Sequence, residues 1–264
     1  MPTKCAHQGR AHLRGAHFLL STFQISALFI AMNYTLAIEA STATPTVALL
    51  HNDAHLGNAS WLSTRGASQR MFEAIHSLLK SHNISLDSVD LFGVGLGPGG
   101  FTGLRLALSA IRAMALPTHT PIIGISSAEA IAMRLQLKGN IAGQRILVIG
   151  DARRKRLWVG IFEVHKNAPR QTGTFELIPI DEFAHHLKLG DTIVSPDHER
   201  LGDDLQAVIP PSATLIEGDQ VPTATDIALL ARTRKTLDTP GEPLNPIYMH
   251  PPVFVKPRFT PPVV

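Results

Sequence analysis

The chain has 264 residues, 44% of them hydrophobic, and 24 Lys and Arg against 21 Asp and Glu, which is enough apolar material for a sizeable core in one large domain or two small ones. The surplus charge is local: residues 1–38 hold Lys4, Arg10 and Arg14 and no acid, leaving 21 cations against 21 acids in the remainder, so net charge gives no footprint for nucleic acid or membrane. The single cysteine, Cys5, excludes intramolecular disulfides and leaves the body without a thiolate nucleophile or thiolate metal site, a usage that fits a reducing cytoplasm.

The first residues combine a basic start with the apolar run Phe18 to Met32, an arrangement resembling the n-region and h-region of a signal peptide. Ser21, Thr22, Gln24 and Ser26 interrupt that run, which is shorter than the ~20 residues of a membrane span. No small-x-small cleavage site follows it. Residues 1–31 therefore read as an upstream extension outside the core, with Met32 starting the functional chain.

Two short strands, Tyr34 to Glu39 and Thr46 to His51, flank a small polar turn, and a third strand is predicted near Ala59 to Ser63. Ser68 is the predicted N-cap of a helix whose Met71, Phe72, Ile75, Leu78 and Leu79 share one face. A strand at Val89 to Val94, a helix at Phe101 to Leu116, a strand at Pro121 to Ile125 and a helix from Ser127 to about Leu137 follow. Strands at Ile146 to Ile149 and Leu157 to Val164 flank the charged turn Asp151-Ala152-Arg153-Arg154-Lys155-Arg156, which reads as a β-hairpin. Beyond it lie a strand near Phe175 to Ile178, a helix at Asp181 to Leu187, strands at Thr192 to Val194 and Thr214 to Ile216, and a last helix at Thr225 to Leu237. The proline-dense tail from Thr239 should be extended and non-helical. Strand, helix, strand, helix followed by a degenerate second copy implies mixed sheets in two α/β lobes.

The most telling stretch is Gly97-Pro98-Gly99-Gly100-Phe101-Thr102-Gly103-Leu104-Arg105, which joins a buried strand directly to a long apolar helix. Glycine at such density lets another backbone or a ligand come close, and the helix start aims free N–H groups at an anion. It is not a P-loop, because Gly103-Leu104-Arg105 carries no lysine. Gly95, Gly97 and Gly100 match G-x-G-x-x-G only formally, since the next strand ends in Ser126-Ser127 where a ribose-binding acid is wanted.

Other constellations are incomplete. Gly124-Ile125-Ser126-Ser127-Ala128 approximates a G-x-S-x-G nucleophile elbow, with Asp197 and His198 available downstream, but adjacent Asp and His are badly placed for a relay. Capping hydroxyls are the simpler role for both serines. His51 and His55 have i, i+4 spacing on a strand and its turn, where they do not share a helical face and make no metal pair. Arg153, Arg154 and Lys155 with Arg156 form a cationic tip that is a solvated turn or a contact for an acidic surface or tRNA phosphate. The helix from Phe101 has Arg105 and Arg112 nearly on one face and apolar residues around most of the rest, so it needs cover on more than one side.

Together, the glycine turn, the opening Ala37-Ile38-Glu39-Ala40-Ser41, the helix start Ala67-Ser68-Gln69, Gly124-Ile125-Ser126-Ser127 and Asp151-Ala152-Arg153 resemble the TsaB (YeaZ) family, a subunit of the bacterial machinery that makes threonylcarbamoyladenosine in tRNA. The likeness runs from about Met32 to Tyr248. Glu39, Ala67 and Gly100 depart from the family's Asp, His and Ser. The resemblance implies two ribonuclease-H-like lobes of the actin-like ATPase superfamily, α/β with mixed sheets flanked by helices. The lobes would span residues 32–140 and, as a degenerate copy, 141–250, with a Pro-rich tail at 251–264.

It further implies a non-catalytic scaffold without a cofactor or metal of its own, ATP and metal being held by partner subunits. The partners implied are a TsaD-type transferase, a TsaE-type ATPase through the complex, tRNA indirectly, and a second copy through the same helices. The implied interface comprises Ser68, Met71, Phe72 and Ile75 with Phe101, Leu104, Arg105, Leu108, Ile111 and Arg112, beside the turn residues Gly97, Pro98, Gly99, Gly100, Thr102 and Gly103. Ser127 and Ile131 stand where the catalytic paralogue TsaD carries its metal-binding histidines. The competing classes are a serine hydrolase built on Ser126 and an independent actin-type nucleotide-binding ATPase.

Overall fold

The first described elements form a meander of β1 (Tyr34–Glu39), β2 (Thr46–His51) and β3 (Ala54–Ser60), each antiparallel to its neighbour. The computed structural model describes residues 34–64, 66–139, 141, 144–166, 168–237 and 243–250, all within the unit Asn33–Val264. The expectations for residues 1–31 and 251–264 lie outside the described residues. After α1 (Ala67–Ser81), β4 (Val89–Gly95) lies parallel to β1; α2 (Phe101–Ala115) leads to β5 (Ile122–Ile125), parallel to β4, and then to α3 (Ser127–Lys138). The order β3-β2-β1-β4-β5 is that of a ribonuclease-H-like sheet.

The second sheet is built on the antiparallel pair β6 (Arg145–Asp151) and β7 (Arg156–Glu163). Two short strands, β8 (Arg170–Gln171) and β9 (Glu176–Pro179), pair with β7. On the other side, β10 (Thr192–Val194) runs parallel to β6. Then α4 (His198–Val208) leads to β11 (Thr214–Leu215), parallel to β10, and α5 (Ala224–Thr236) closes the fold. The fold class expected from the sequence is the one observed: two mixed sheets flanked by helices.

Side-chain alternation along β1 separates two cores. Leu36 and Ile38 join Met71, Ile75 and Ile111 beneath α1 and α2, whereas Ala37, with Ala48 of β2, meets Ile227 and Ala231 of α5. The α5 face is small by necessity, since a Cβ on Gly93 would meet Ile227 and Ala231 at 3.3 and 3.4 Å. The last helix is fixed at its start by a capping box between Thr223 and Asp226. Asp226 also pairs with Arg134 of α3 at 3.0 Å. Packing thus crosses the 140/141 boundary drawn from the sequence: α5 lies on the first sheet, and α3 sends Ala128, Ile131 and Leu135 against Ile146, Trp158 and Phe162 of the second.

Several local expectations change. The third strand begins five residues earlier than predicted and ends at Ser60, leaving Trp61 as a buried anchor after it. Ser68 is exposed inside the first turn of α1, and Gly66, at φ 84°, takes the N-cap position without a side-chain cap. The segment Ile180–His186 is 3-10 rather than α-helical. The helix α4 was not foreseen: only Leu201 and Leu205 are buried on it, one apolar residue per turn in a charged sequence interrupted by Gly202. Among the described residues no helix is long and apolar enough to cross a membrane.

Candidate functional site

The glycine turn is a point of close backbone approach. Its glycines meet the segment after β1: a Cβ on Gly99 would lie 2.5 Å from Ser41 Cβ, and one on Gly103 would fall inside contact distance of the Ala40 carbonyl oxygen. Gly97 adopts φ 91°, a left-handed conformation favoured by glycine. The N–H groups expected to await an anion are engaged internally at two positions: Gly100 N–H donates to Ser41 O at 2.7 Å and Gly97 N–H to Ser127 Oγ at 3.0 Å. Ser127 Oγ in turn donates to Glu39 Oε2 at 2.7 Å, while Glu39 Oε1 accepts from Ser41 N–H at 2.6 Å. This buried chain ties β1, the glycine turn and the start of α3 together. Burial pushes the Glu39 carboxyl above its ordinary range, against the lowering effect of its hydrogen bonds from Ser41 and Ser127.

A cleft of about 720 Å³ opens beside this junction. Its walls include Ser41 to Thr44, the glycine turn, the start of α3, Trp158, and the charged residues Asp151, Arg153, Asp197 and Arg200. The charges neutralise one another in a tight cluster. Arg200 bridges Asp151 at 3.1 Å and Asp197 at 2.6 Å, Arg153 lies 3.3 Å from Asp151, and Asp151 N–H donates to Asp197 Oδ2 at 2.9 Å. Burial pushes Asp197 above the usual carboxylate range, while the Asp151 N–H and Arg200 pull the other way.

The ten residues expected at a partner interface divide by exposure. Met71, Ile75, Leu104, Leu108 and Ile111 are buried within this chain and belong to its core, so they are corrected from surface to core: the helical period aimed them at the sheet. Ser68, Phe72, Phe101, Arg105 and Arg112 remain at the surface, with Phe72 and Phe101 each 48% exposed and Leu116, beyond the end of α2, 70% exposed.

Sequence reasoning missed what the tail does here. Arg105 packs over the Phe101 ring at 3.8 Å and donates to Tyr248 Oη at 2.7 Å, and Arg112 donates to Leu244 O at 2.5 Å. The strap continues through Ile247 N–H to Leu96 O at 2.7 Å and His250 Nε2 with Ala152 O at 2.7 Å. Segment 243–250 thus reaches from α2 to the charged hairpin. The only sequence signal was Ile247-Tyr248-Met249, a short apolar run among prolines.

The hydrolase reading fails on geometry. Ser126 is 1% exposed and caps α3, accepting from Glu129 N–H at 3.4 Å and donating to Gly97 O at 3.4 Å. His51 pairs with Ala54 and His55 with Leu50 across the β2–β3 ladder, which puts the two imidazoles on opposite faces.

The family model described as TsaD, tRNA N6-adenosine threonylcarbamoyltransferase, matches residues 61–184. Over most of its length the chain is similar to the tRNA threonylcarbamoyladenosine biosynthesis protein TsaB of Bacillus subtilis, 24% identical over 220 residues, or 81% of this chain and 93% of that one. This similarity supports the TsaB (YeaZ) family. It is 29% identical to TsaB of Escherichia coli over 132 residues, covering 50% of this chain and 56% of that protein. The solved structure of YeaZ from Pseudomonas aeruginosa shares the fold, with a TM-score of 0.69 at 23% identity, covering 83% of this chain and all of the other.

The positions at which this chain departs from the TsaB pattern have a structural context. Glu39, replacing the family's Asp, fills the space that Gly95 leaves open, since a Cβ there would collide with the Glu39 carboxylate. Gly100 stands at the N-cap of α2, where a family serine would supply the side-chain cap that is missing here. Ser127 and Ile131 are both buried, Ser127 in the Glu39 network and Ile131 in the core between α3 and the second sheet.

Proposed function

We propose that this chain is the accessory subunit of a threonylcarbamoyladenosine-forming complex. It binds and activates a TsaD-type transferase, which moves the threonylcarbamoyl group from its adenylate to N6 of the adenosine beside the anticodon. The observation that carries this reading is the match along 93% of the Bacillus subtilis TsaB chain. The chain itself has no catalytic role in the proposal. The two positions of the paralogue's histidine pair hold Ser127 and Ile131, the glycine turn lacks a P-loop lysine, Ser126 is a helix cap and Ser127 is held in the Glu39 network. ATP and metal sit on partner subunits, a TsaE-type ATPase joins through the complex, and the work is done in the cytoplasm.

The docking surface in this reading is the exposed stripe of α1 and α2. On α2 it runs through Phe101, Arg105, Ser109, Arg112 and Ala113, which recur at three- and four-residue intervals, with Phe72 on α1. Rigid aromatic anchors beside arginines are the composition that concentrates binding energy at interfaces. A second copy of this chain uses the same stripe when the transferase is absent. The experiment is reconstitution: the chain and a TsaD-type partner are mixed, their mass in solution measured, and threonylcarbamoyladenosine formation followed with and without this chain. A stable heterocomplex and activity dependent on the chain are expected. Full transferase activity without it, or ATP hydrolysis by the chain alone, would overturn the reading.

A further inference from the structure

The hairpin between β6 and β7 presents cations in an unusual way. Arg153, Arg154 and Lys155 are consecutive non-glycine residues at φ 66°, 54° and 55°. Left-handed backbone is sterically disfavoured for residues with a Cβ and is ordinarily filled by Gly, Asn or Asp. Here three long cationic side chains occupy it, against both backbone sterics and mutual repulsion. Nor is the tip loose. Ala152 N–H donates to Arg156 O at 2.9 Å, Arg156 N–H to Arg153 O at 3.1 Å and Ile180 N–H to Lys155 O at 3.0 Å, while the tail's His250 holds Ala152 O.

The charges at the base and at the tip are in different states. Arg153 is paired with Asp151, whose other neighbour is Arg200; Arg156 donates to Leu177 O at 2.9 Å. Arg154 and Lys155 are exposed and form no ion pair among the described residues. None of the large exposed hydrophobic side chains lies in the hairpin. A protein contact of useful affinity needs an apolar or aromatic centre, whereas a phosphate backbone is held by cations alone.

We propose that the tip formed by Arg154 and Lys155 is a direct contact for the phosphate backbone of tRNA, a rigid electrostatic finger on a subunit whose cations and acids balance beyond residue 38. The inference rests on the functional reading above for the presence of tRNA in the complex. Strained backbone retained at one place, with unpaired charge at the same place, is the pattern of a segment shaped for a ligand rather than for stability.

The test is Arg154→Asn/Lys155→Asn in the full chain, because asparagine tolerates the left-handed backbone and removes both charges. The wild-type and variant chains are each assembled with the transferase, and binding of an unmodified tRNA transcript is measured from about 50 to 200 mM salt. Each phosphate contact contributes about 0.7–0.9 to the salt slope, so loss of two should lower it by about 1.4–1.8 and remove roughly tenfold of the affinity change over that range. The variant should pair with the transferase as wild type does and melt no lower. Arg154→Lys/Lys155→Arg, which keeps the charges, should keep the wild-type slope.

An unchanged slope and affinity in a correctly assembled Asn variant overturns the proposal alone. Loss of pairing with the transferase, tRNA binding being otherwise intact, also overturns it and makes the hairpin a protein contact. A wild-type chain that pairs with no such transferase sinks the functional reading, and this inference with it.

Discussion

Replacing Gly103 by Ala and Gly100 by Ser should move stability in opposite directions, although both residues lie in the same turn. Gly103 is in the first turn of α2, where alanine would otherwise gain about 1 kcal/mol over glycine through backbone entropy. Its Cβ would enter the Ala40 carbonyl oxygen, a backbone atom held beside the Ser41 O to Gly100 N–H hydrogen bond. Forcing the helix away from that strand end costs roughly 3 kcal/mol as an overpacking penalty, so the net loss is about 2 kcal/mol. For a chain of this size each kcal/mol moves Tm by about 2–4 °C, giving a fall of about 4–8 °C. Gly100 is different: it has φ −63° and ψ 114°, conformations open to any residue, and its Cβ would stand 3.4 Å from Ser41 O. Serine there supplies an N-cap hydroxyl worth a few tenths of a kcal/mol over glycine, and Tm should rise by about a degree. Differential scanning calorimetry of both variants decides the matter. A Gly103→Ala protein as stable as wild type would show that α2 is not pressed against β1. Equal damage from both substitutions would show that local space does not govern the turn.

Ala113→Glu places a carboxylate on the exposed stripe of α2, whereas Ala110 is only 4% exposed; the Ala113 variant should keep its circular dichroism spectrum yet bind the transferase ~100-fold or more weakly, because an unpaired carboxylate buried in an interface costs several kcal/mol. Unimpaired binding would move the interface away from α2. Glu39 has a folded-state pKa raised by burial, so its stabilising contribution is complete below the ordinary carboxylate range and is lost as pH rises through the raised value. The Tm of Glu39→Gln relative to wild type should therefore climb over that upper window, and parallel melting profiles from about pH 4 to pH 8 would contradict it. A fluorophosphonate should leave Ser126 unlabelled, since its hydroxyl is buried as a helix cap; a labelled serine at that position in the intact-mass spectrum would revive a hydrolase.

What could be read from the sequence was whatever a single element carries by itself. Four strands of the first sheet and its three helices announce themselves by period, because each buries a face or both faces, whereas β3, with no fully buried residue, was misplaced by five residues. The glycine turn was legible as a close approach, but not as an approach of its own chain: nothing local says that Ala40 and Ser41, some sixty residues upstream, are what comes near. The same limit explains the interface residues. Periodicity identified the apolar positions of α1 and α2, and apolarity alone points equally to a core and to a partner; only the position of the sheet sends Met71, Leu104 and Ile111 inward while leaving Phe72 and Phe101 outside. Packing across the chain was still less visible. The helix at Thr225 to Leu237 was legible, but nothing in it says that its small-residue partners are Ala37, Ala48 and Gly93 of the first sheet. The tail shows the sharpest case, since over the described residues 243–250 its prolines correctly exclude a helix while concealing that Tyr248 and His250 link α2 to the hairpin. These are the features that set the two exposed surfaces, the aromatic and arginine stripe and the cationic tip, in one rigid frame. The surfaces proposed to meet other molecules are thus defined by long-range packing, although nearly every residue in them carries a signal of its own.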